Sequence, residues 1–269
     1  MTRCFSKLAN ENRKAFVAFL TGGDPDYQTS KQLVSGLPAA GVDLIEIGMP
    51  FSDPMADGPS IQVSSQRALR NGMTLVKTLD LVKEFRKTDN VTPIVLMGYY
   101  NPIYRYGAHR FVQECAEIGV DGLIIVDLPP EEDTELCEPA LTAGLHWIRL
   151  VTPSTDDDRI DAVLHNVSGF VYYISVLGVT GTRRAMADHI EVAVSRLRKY
   201  TSLPIAVGFG IKTPEHARAV AEHADGIVVG SAIVDMVKAN LDESGKPNAM
   251  LVDRVHDFVH DIAKGVDNA

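Results

Sequence analysis

Apolar residues along the chain gather into short continuous runs: AFVAFL (15–20), DLIEIG (43–48), PIVLMG (93–98), DGLIIVD (121–127), HWIRLV (146–151), GFVYYIS (169–175), LPIAVG (203–208) and DGIVVG (225–230). Runs of this length, rich in Val and Ile, predict strands buried on both faces. Seven of them lead into amphipathic stretches such as EHARAVAEHA (215–224), and the sixth into a glycine loop and then a helix from about residue 188. Alternating β and α segments predict a parallel sheet covered by helices, and eight such units are the number that closes a (β/α)8 TIM barrel. An open doubly wound sheet is the alternative.

Helix signals agree with that frame. The segment SDPMADGPS delays the second helix to about Ser60, and Pro129-Pro130-Glu131-Glu132 opens the fourth, where proline and carboxylates suit a first turn. Thr213-Pro214-Glu215 supplies an N-cap and a first-turn proline to the seventh. LDESGKPNA (241–249) reads as a polar loop before an extra C-terminal helix, roughly Met250 to Lys264, and a further helix is expected at the N-terminus. With no linker or low-complexity tract, residues 1–269 read as a single domain.

Composition narrows the classes. A 45% hydrophobic fraction supports a sizeable core, and no apolar stretch reaches the roughly 20 residues of a membrane span. The first twenty residues lack a cleavage-site pattern, so no signal peptide is expected. Cys4, Cys115 and Cys137 have no paired spacing, which argues against a disulfide framework or a zinc site and suits the cytoplasm. A net charge of −9 disfavours a surface that tracks nucleic-acid phosphates, though backbone amides can still hold a single phosphate.

Two carboxylates stand out in EIGMPFSDPMADGP (46–59). Glu46 sits inside an apolar strand on the face opposite Ile45 and Ile47, where an ionisable group is costly unless satisfied. Asp57 follows on a loop stiffened by Pro50, Pro54 and Pro59, which lowers the entropy lost in fixing its position. A hydrogen bond to a neighbouring strand and a turn former are the bland alternatives for the two. Polar groups also occupy other strand ends: Asp24, Asn101, Asp127 and Thr180. Barrels place catalytic groups at that rim.

Gly208-Phe209-Gly210 follows the seventh strand and Gly230-Ser231 the eighth, the two places where barrels offer backbone amides to phosphate. Gly178 to Arg184 could close over a charged ligand, or be an ordinary surface loop. His256 and His260, four apart on the last helix, lack a third ligand and read as a solvated face. Lys7, Lys14 and Lys212 lie away from the strand ends an imine-forming lysine would need.

LTGGDP (20–25), EIGMPFSDPMADGP (46–59), GYYNP (98–102), VDLPPEE (126–132), SVLGVTGTR (175–183), VGFGIKTPE (207–215) and GIVVGSAIV (226–234) resemble, in that order, the tryptophan synthase alpha chain family. The resemblance implies a TIM barrel lyase that cleaves indole-3-glycerol phosphate to indole and glyceraldehyde 3-phosphate. It implies Glu46 and Asp57 as the catalytic pair, and Phe19, Leu96, Tyr99, Tyr172 and Phe209 around the indole. Gly181, Gly210, Gly230 and Ser231 match the family's phosphate-binding positions, and Thr180 its lid threonine. Val176 departs from members that carry arginine there. No cofactor of the chain's own is implied. A pyridoxal-phosphate (PLP) beta chain is, in an αββα heterotetramer; Asp53, Pro54 and Asn101 are expected contacts because they lie on the same rim as the active site. The alternative function is a non-catalytic phosphoindole-binding or allosteric subunit.

Overall fold

The computed structural model describes residues 1–175, 183–208 and 210–269, with side chains of the second segment described from residue 187. Among the described residues nine parallel strands form one sheet: β1 (Ala15–Thr21), β2 (Leu44–Gly48), β3 (Ile94–Gly98), β4 (Gly122–Ile125), β5 (His146–Trp147), β6 (Leu150–Val151), β7 (Val171–Ile174), β8 (Ile205–Gly208) and β9 (Gly226–Val229). Their order is β5-β4-β3-β2-β1-β9-β8-β7-β6. The two end strands are halves of one run, HWIRLV, so the sheet curls round until it meets itself. Eight apolar runs thus build a TIM barrel, as expected, but the fifth is broken at Ile148-Arg149.

Period-2 alternation sorts the strand residues into two cores. Phe16, Ala18, Ile45, Ile47, Leu96, Trp147 and Val171 face the surrounding helices, while Ala15, Val17, Leu44, Val95, Ile124, Phe170, Ala206 and Val228 fill the barrel interior. The N-terminal helix Thr2–Asn10 adds Phe5 and Leu8 to the inner core, with the Phe5 ring 5.7 Å from that of Phe170. Burying two such side chains stabilises by about 3–6 kcal/mol and plugs the barrel at the strand N-termini. The opposite mouth, at the strand C-termini, holds a cavity lined by strand-end residues.

Helix boundaries follow the sequence signals closely. Pro59 opens helix Pro59–Arg70, and the Thr213 side chain accepts from His216 N–H at 3.3 Å to start Pro214–Ala221. The segment from Pro130 forms a 3-10 turn to Glu135 before helix Cys137–Thr142. The helix after β7 runs Arg183–Leu197, starting earlier than the expected 188, and the last helix spans Leu251–Asp267. On it His256 is half-buried instead of solvated: its ring pairs with the Leu33 carbonyl at 2.9 Å and packs on Gly36. That contact ties the last helix to helix Tyr27–Gly36.

Candidate active site

Register places the first carboxylate. Phe19 on β1 pairs with Glu46 on β2, and Glu46 with Val95 on β3, so Glu46 points into the barrel beside other inward residues. It is 1% exposed, and neither carboxylate oxygen meets a donor among the described residues. A buried group without partners favours its neutral form, and burial, with the charge of Asp57 added, pushes the Glu46 carboxyl up to about 8.

The second carboxylate is held by its loop. The Asp57 N–H donates to the Pro54 carbonyl at 3.1 Å, and the Gln62 side chain donates to the Asp57 carbonyl at 2.9 Å from the first turn of the following helix. Burial raises the Asp57 carboxyl to about 6, opposed by the Tyr99 hydroxyl, which lies close enough to stabilise the anion. Tyr99 itself, at the N-cap of helix Tyr100–Tyr106, is buried, stacks its ring 5.4 Å from Phe51 and accepts from Ala56 N–H at 3.0 Å. With that lone pair engaged, its proton is free to be directed at Asp57, and burial together with the Asp57 charge pushes the phenol up to about 12.

The order of the two titrations has a physical basis. Asp57 loses its proton while Glu46 is still neutral, so no charge from Glu46 opposes it. Glu46 must then ionise against an anion already present. Between pH 6 and 8 Glu46 is a protonated acid and Asp57 an ionised carboxylate, the separation that acid–base work requires.

Both carboxylates line one cavity of about 190 Å³. Phe19, Met97, Tyr172 and Val228 give it flat apolar walls, and Gly208, Gly210, Gly230 and Ser231 line it from the ends of β8 and β9. Gly210 has φ +63°, a conformation that suits glycine. Gly208 approaches Tyr172 so closely that a Cβ there would lie 2.9 Å from the phenol oxygen. Ser231 begins helix Ser231–Ala239, whose positive N-terminal end favours an anion, with the Ile233 and Val234 N–H groups already bonded to the Gly230 carbonyl.

Several expected residues lie elsewhere. Leu96 faces the helices, because Glu46 pairs with Val95 and the inward positions of β3 are therefore Val95 and Met97. Met97 takes its place in the cavity wall. Tyr99 holds Asp57 and is not itself part of the lining. Of the other rim residues, Asp24 is bonded by both Nε and an Nη of Arg67 at 2.8 Å, and Asp127 accepts the Tyr100 N–H at 2.8 Å. Val176, Thr180, Gly181 and Phe209 fall outside the described residues. Sequence reasoning missed Met97, Ile61, Ile174, Ser175, Ile211 and Val228; only strand register could have exposed Met97 and Val228. Among the described residues no group of three or more His, Cys, Asp or Glu could hold a metal ion.

Comparison with known proteins supplies the family. The sequence profile described as "Tryptophan synthase alpha chain" matches residues 5–264. Among solved structures, the tryptophan synthase subunit alpha of Legionella pneumophila str. Paris is similar with TM-score 0.90 and 35% identity, covering 100% of this chain and 98% of its own. A protein of Aquifex aeolicus VF5 matches with TM-score 0.86 and 36% identity over 98% of this chain and 97% of its own. Tryptophan synthase of M. tuberculosis in its aminoacrylate-bound form matches with TM-score 0.86 and 31% identity, over 98% of each chain. With two carboxylates and a glycine-lined mouth in one barrel cavity, and a profile match over nearly its whole length, the chain belongs to the tryptophan synthase alpha chain family.

Proposed function

We propose that Glu46 and Asp57 carry out the reaction of this family, the retro-aldol cleavage of indole-3-glycerol phosphate to indole and glyceraldehyde 3-phosphate. The bond to be broken joins indole C3 to a hydroxylated carbon, and an indole carbanion is a poor leaving group. Protonating C3 turns the ring into a cation that accepts the bonding pair as the C–C bond breaks, while the hydroxyl proton is lost and an aldehyde forms. Glu46 is the proton donor, and the carboxylate it leaves can take the hydroxyl proton. The observation that carries this reading is a buried, unpartnered Glu46 raised to about 8 in the cavity it shares with Asp57.

Asp57 accepts the indole N–H and opposes the positive charge that grows there. At about 4 Å and an effective dielectric near 20 the attraction is about 4 kcal/mol, or roughly three decades in rate if it arises only in the transition state. Phe19, Met97 and Tyr172 fit the flat ring, and Gly210, Gly230 and Ser231 fit the phosphate. The chain needs no cofactor of its own for this step.

Members of the family act with a beta subunit. We assign this chain the same kind of partner, a PLP-dependent beta chain in an αββα assembly that receives the indole, working in the cytoplasm. Asp53 and Asn101 are exposed on the catalytic rim, as a contact requires, and Met55 is 86% exposed beside them, whereas Pro54 is buried within the chain. No helix among the described residues is long and apolar enough to cross a membrane.

The test is indole release from indole-3-glycerol phosphate, measured with and without an added beta chain. Glu46→Gln and Asp57→Asn should each fold, retain glycerol phosphate binding and lose most turnover. Unchanged kcat in either variant would remove that residue from the mechanism, and no indole release by the parent chain even with the beta chain present would favour a non-catalytic phosphoindole-binding subunit.

A further inference from the structure

Helix Tyr100–Tyr106 has little of its own to start it. Its N-cap, Tyr99, has φ −116° and ψ 150° and makes no side-chain cap bond. The third helical residue, Pro102, has no N–H for a cap to meet, and a proline disfavours helical backbone at the residue before it, here Asn101. A first turn of this kind has to be held from outside.

Asp127, two residues beyond β4, holds it. Its Oδ1 accepts the Tyr100 N–H at 2.8 Å, and the Tyr100 hydroxyl donates to Glu135 at 2.9 Å further along the same loop. The neighbouring Val126 N–H donates to the Gly98 carbonyl at 3.0 Å, so the carboxylate projects from backbone already tied to β3. Arg149 secures the loop from its other side, through the Leu128 carbonyl and the Asp133 carboxylate. A carboxylate also suits the positive end of a helix.

The Tyr100 N–H lies in the peptide plane whose orientation is set by ψ of Tyr99. Bonding that N–H therefore fixes the direction in which the Tyr99 side chain stands relative to the helix, and the Tyr99 hydroxyl is what stabilises the Asp57 anion. Among the described residues the titratable groups acting on Asp57 are this phenol and Glu46 of β2. The Asp127 charge reaches the phenol as well, helping to keep it protonated after burial and the Asp57 charge.

We propose that Asp127 is a positioning residue for the catalytic pair: it lies outside the cavity lining and, by capping helix Tyr100–Tyr106, keeps the Tyr99 hydroxyl aimed at Asp57. Its catalytic consequence rests on the role given to Asp57 above. The sign of the effect separates this route from simple charge. Removing a negative charge near Asp57 would ease its ionisation and lower its pKa, whereas turning the Tyr99 hydroxyl away raises it.

The test follows the Asp57 carboxyl carbon by ¹³C NMR in the whole chain, identified by its loss in Asp57→Asn, beside the acid limb of kcat/KM with the beta chain present. In Asp127→Ala both should move up by about half a pH unit, the size of a lost cap, with the basic limb and glycerol phosphate affinity unchanged. Asp127 is exposed, and Asp127→Leu, which also lacks an acceptor, replaces the alanine variant if that does not fold. Asp127→Asn keeps an acceptor oxygen and should leave the Asp57 pKa in place or slightly lower. In a Tyr99→Phe background Asp127→Ala should no longer raise it. An Asp57 signal that stays or moves down in Asp127→Ala, or an equal upward shift in the Tyr99→Phe background, would overturn the proposal. An upward shift of the signal with no acid limb in any variant would uphold the link from Asp127 to Asp57 and refute instead the catalytic role of Asp57.

Discussion

Replacing Glu46 by glutamine should make the protein less active and, above neutrality, more stable. The carboxyl rises from 4.5 in the unfolded chain to about 8 in the fold because burial penalises its charge. Below pH 4.5 both states are protonated and the penalty is absent. Between 4.5 and 8 the unfolded chain ionises while the folded one keeps its proton, so stability falls as pH rises. Above 8 the loss is complete. At about 1.4 kcal/mol per pH unit, that rise corresponds to about 5 kcal/mol. Glutamine does not titrate, and its amide adds a cost that is the same at every pH. The gap in Tm between Glu46→Gln and the parent, followed by calorimetry, should therefore widen by about 10 °C from pH 5 to pH 9. Titration of every other group is common to both proteins and drops out of the difference. Parallel Tm curves, with the gap changing by less than about 2 °C, would show that Glu46 ionises freely in the fold and would remove the basis for calling it an acid near neutrality.

The pH dependence of kcat/KM should be bell-shaped, falling below about 6 as Asp57 gains a proton and above about 8 as Glu46 loses one; a flat profile across that range would contradict the pairing. Tyr99→Phe removes the hydroxyl that stabilises the Asp57 anion, so the acid limb alone should move to higher pH while phosphate affinity is kept. Gly208→Ala should push the Tyr172 ring across the cavity, since the added Cβ would sit 2.9 Å from it, and should raise KM at least tenfold with little change in Tm. Arg67→Met leaves Asp24, 3% exposed, without its partner and should cost about 3–5 kcal/mol in unfolding experiments at neutral pH, with a smaller loss in acid where Asp24 is protonated.

How far the sequence reached depended on which physical signal was needed. Apolar runs are local, so seven of eight strands could be read from them directly. HWIRLV looked like the others, yet its arginine was a warning: a charged residue in a buried strand needs partners, and Arg149 finds them in Leu128 and Asp133 by breaking the strand. Glu46 was legible because one strand's alternation fixes which face it shares. Leu96 and Met97 were not, because their faces depend on how β3 aligns with β2, and a slip of one residue exchanges them. Asp24 and Asp127 lie at strand ends as supposed, but a rim aspartate can serve the fold as readily as a ligand. Arg67 and the Tyr100 N–H, which claim them, are distant or unremarkable in the sequence.

Tyr99 belongs to two parts of the molecule at once. Its phenol stands over Asp57, while its backbone starts helix Tyr100–Tyr106, which carries Asn101 and the 67% exposed Tyr104 on the outside. The hydroxyl cannot stay where it is if that helix turns about its first residue. Anything that grips the outer surface of the helix is therefore mechanically geared to the anion, and a docking event there can tighten or slacken Asp57 without touching the cavity.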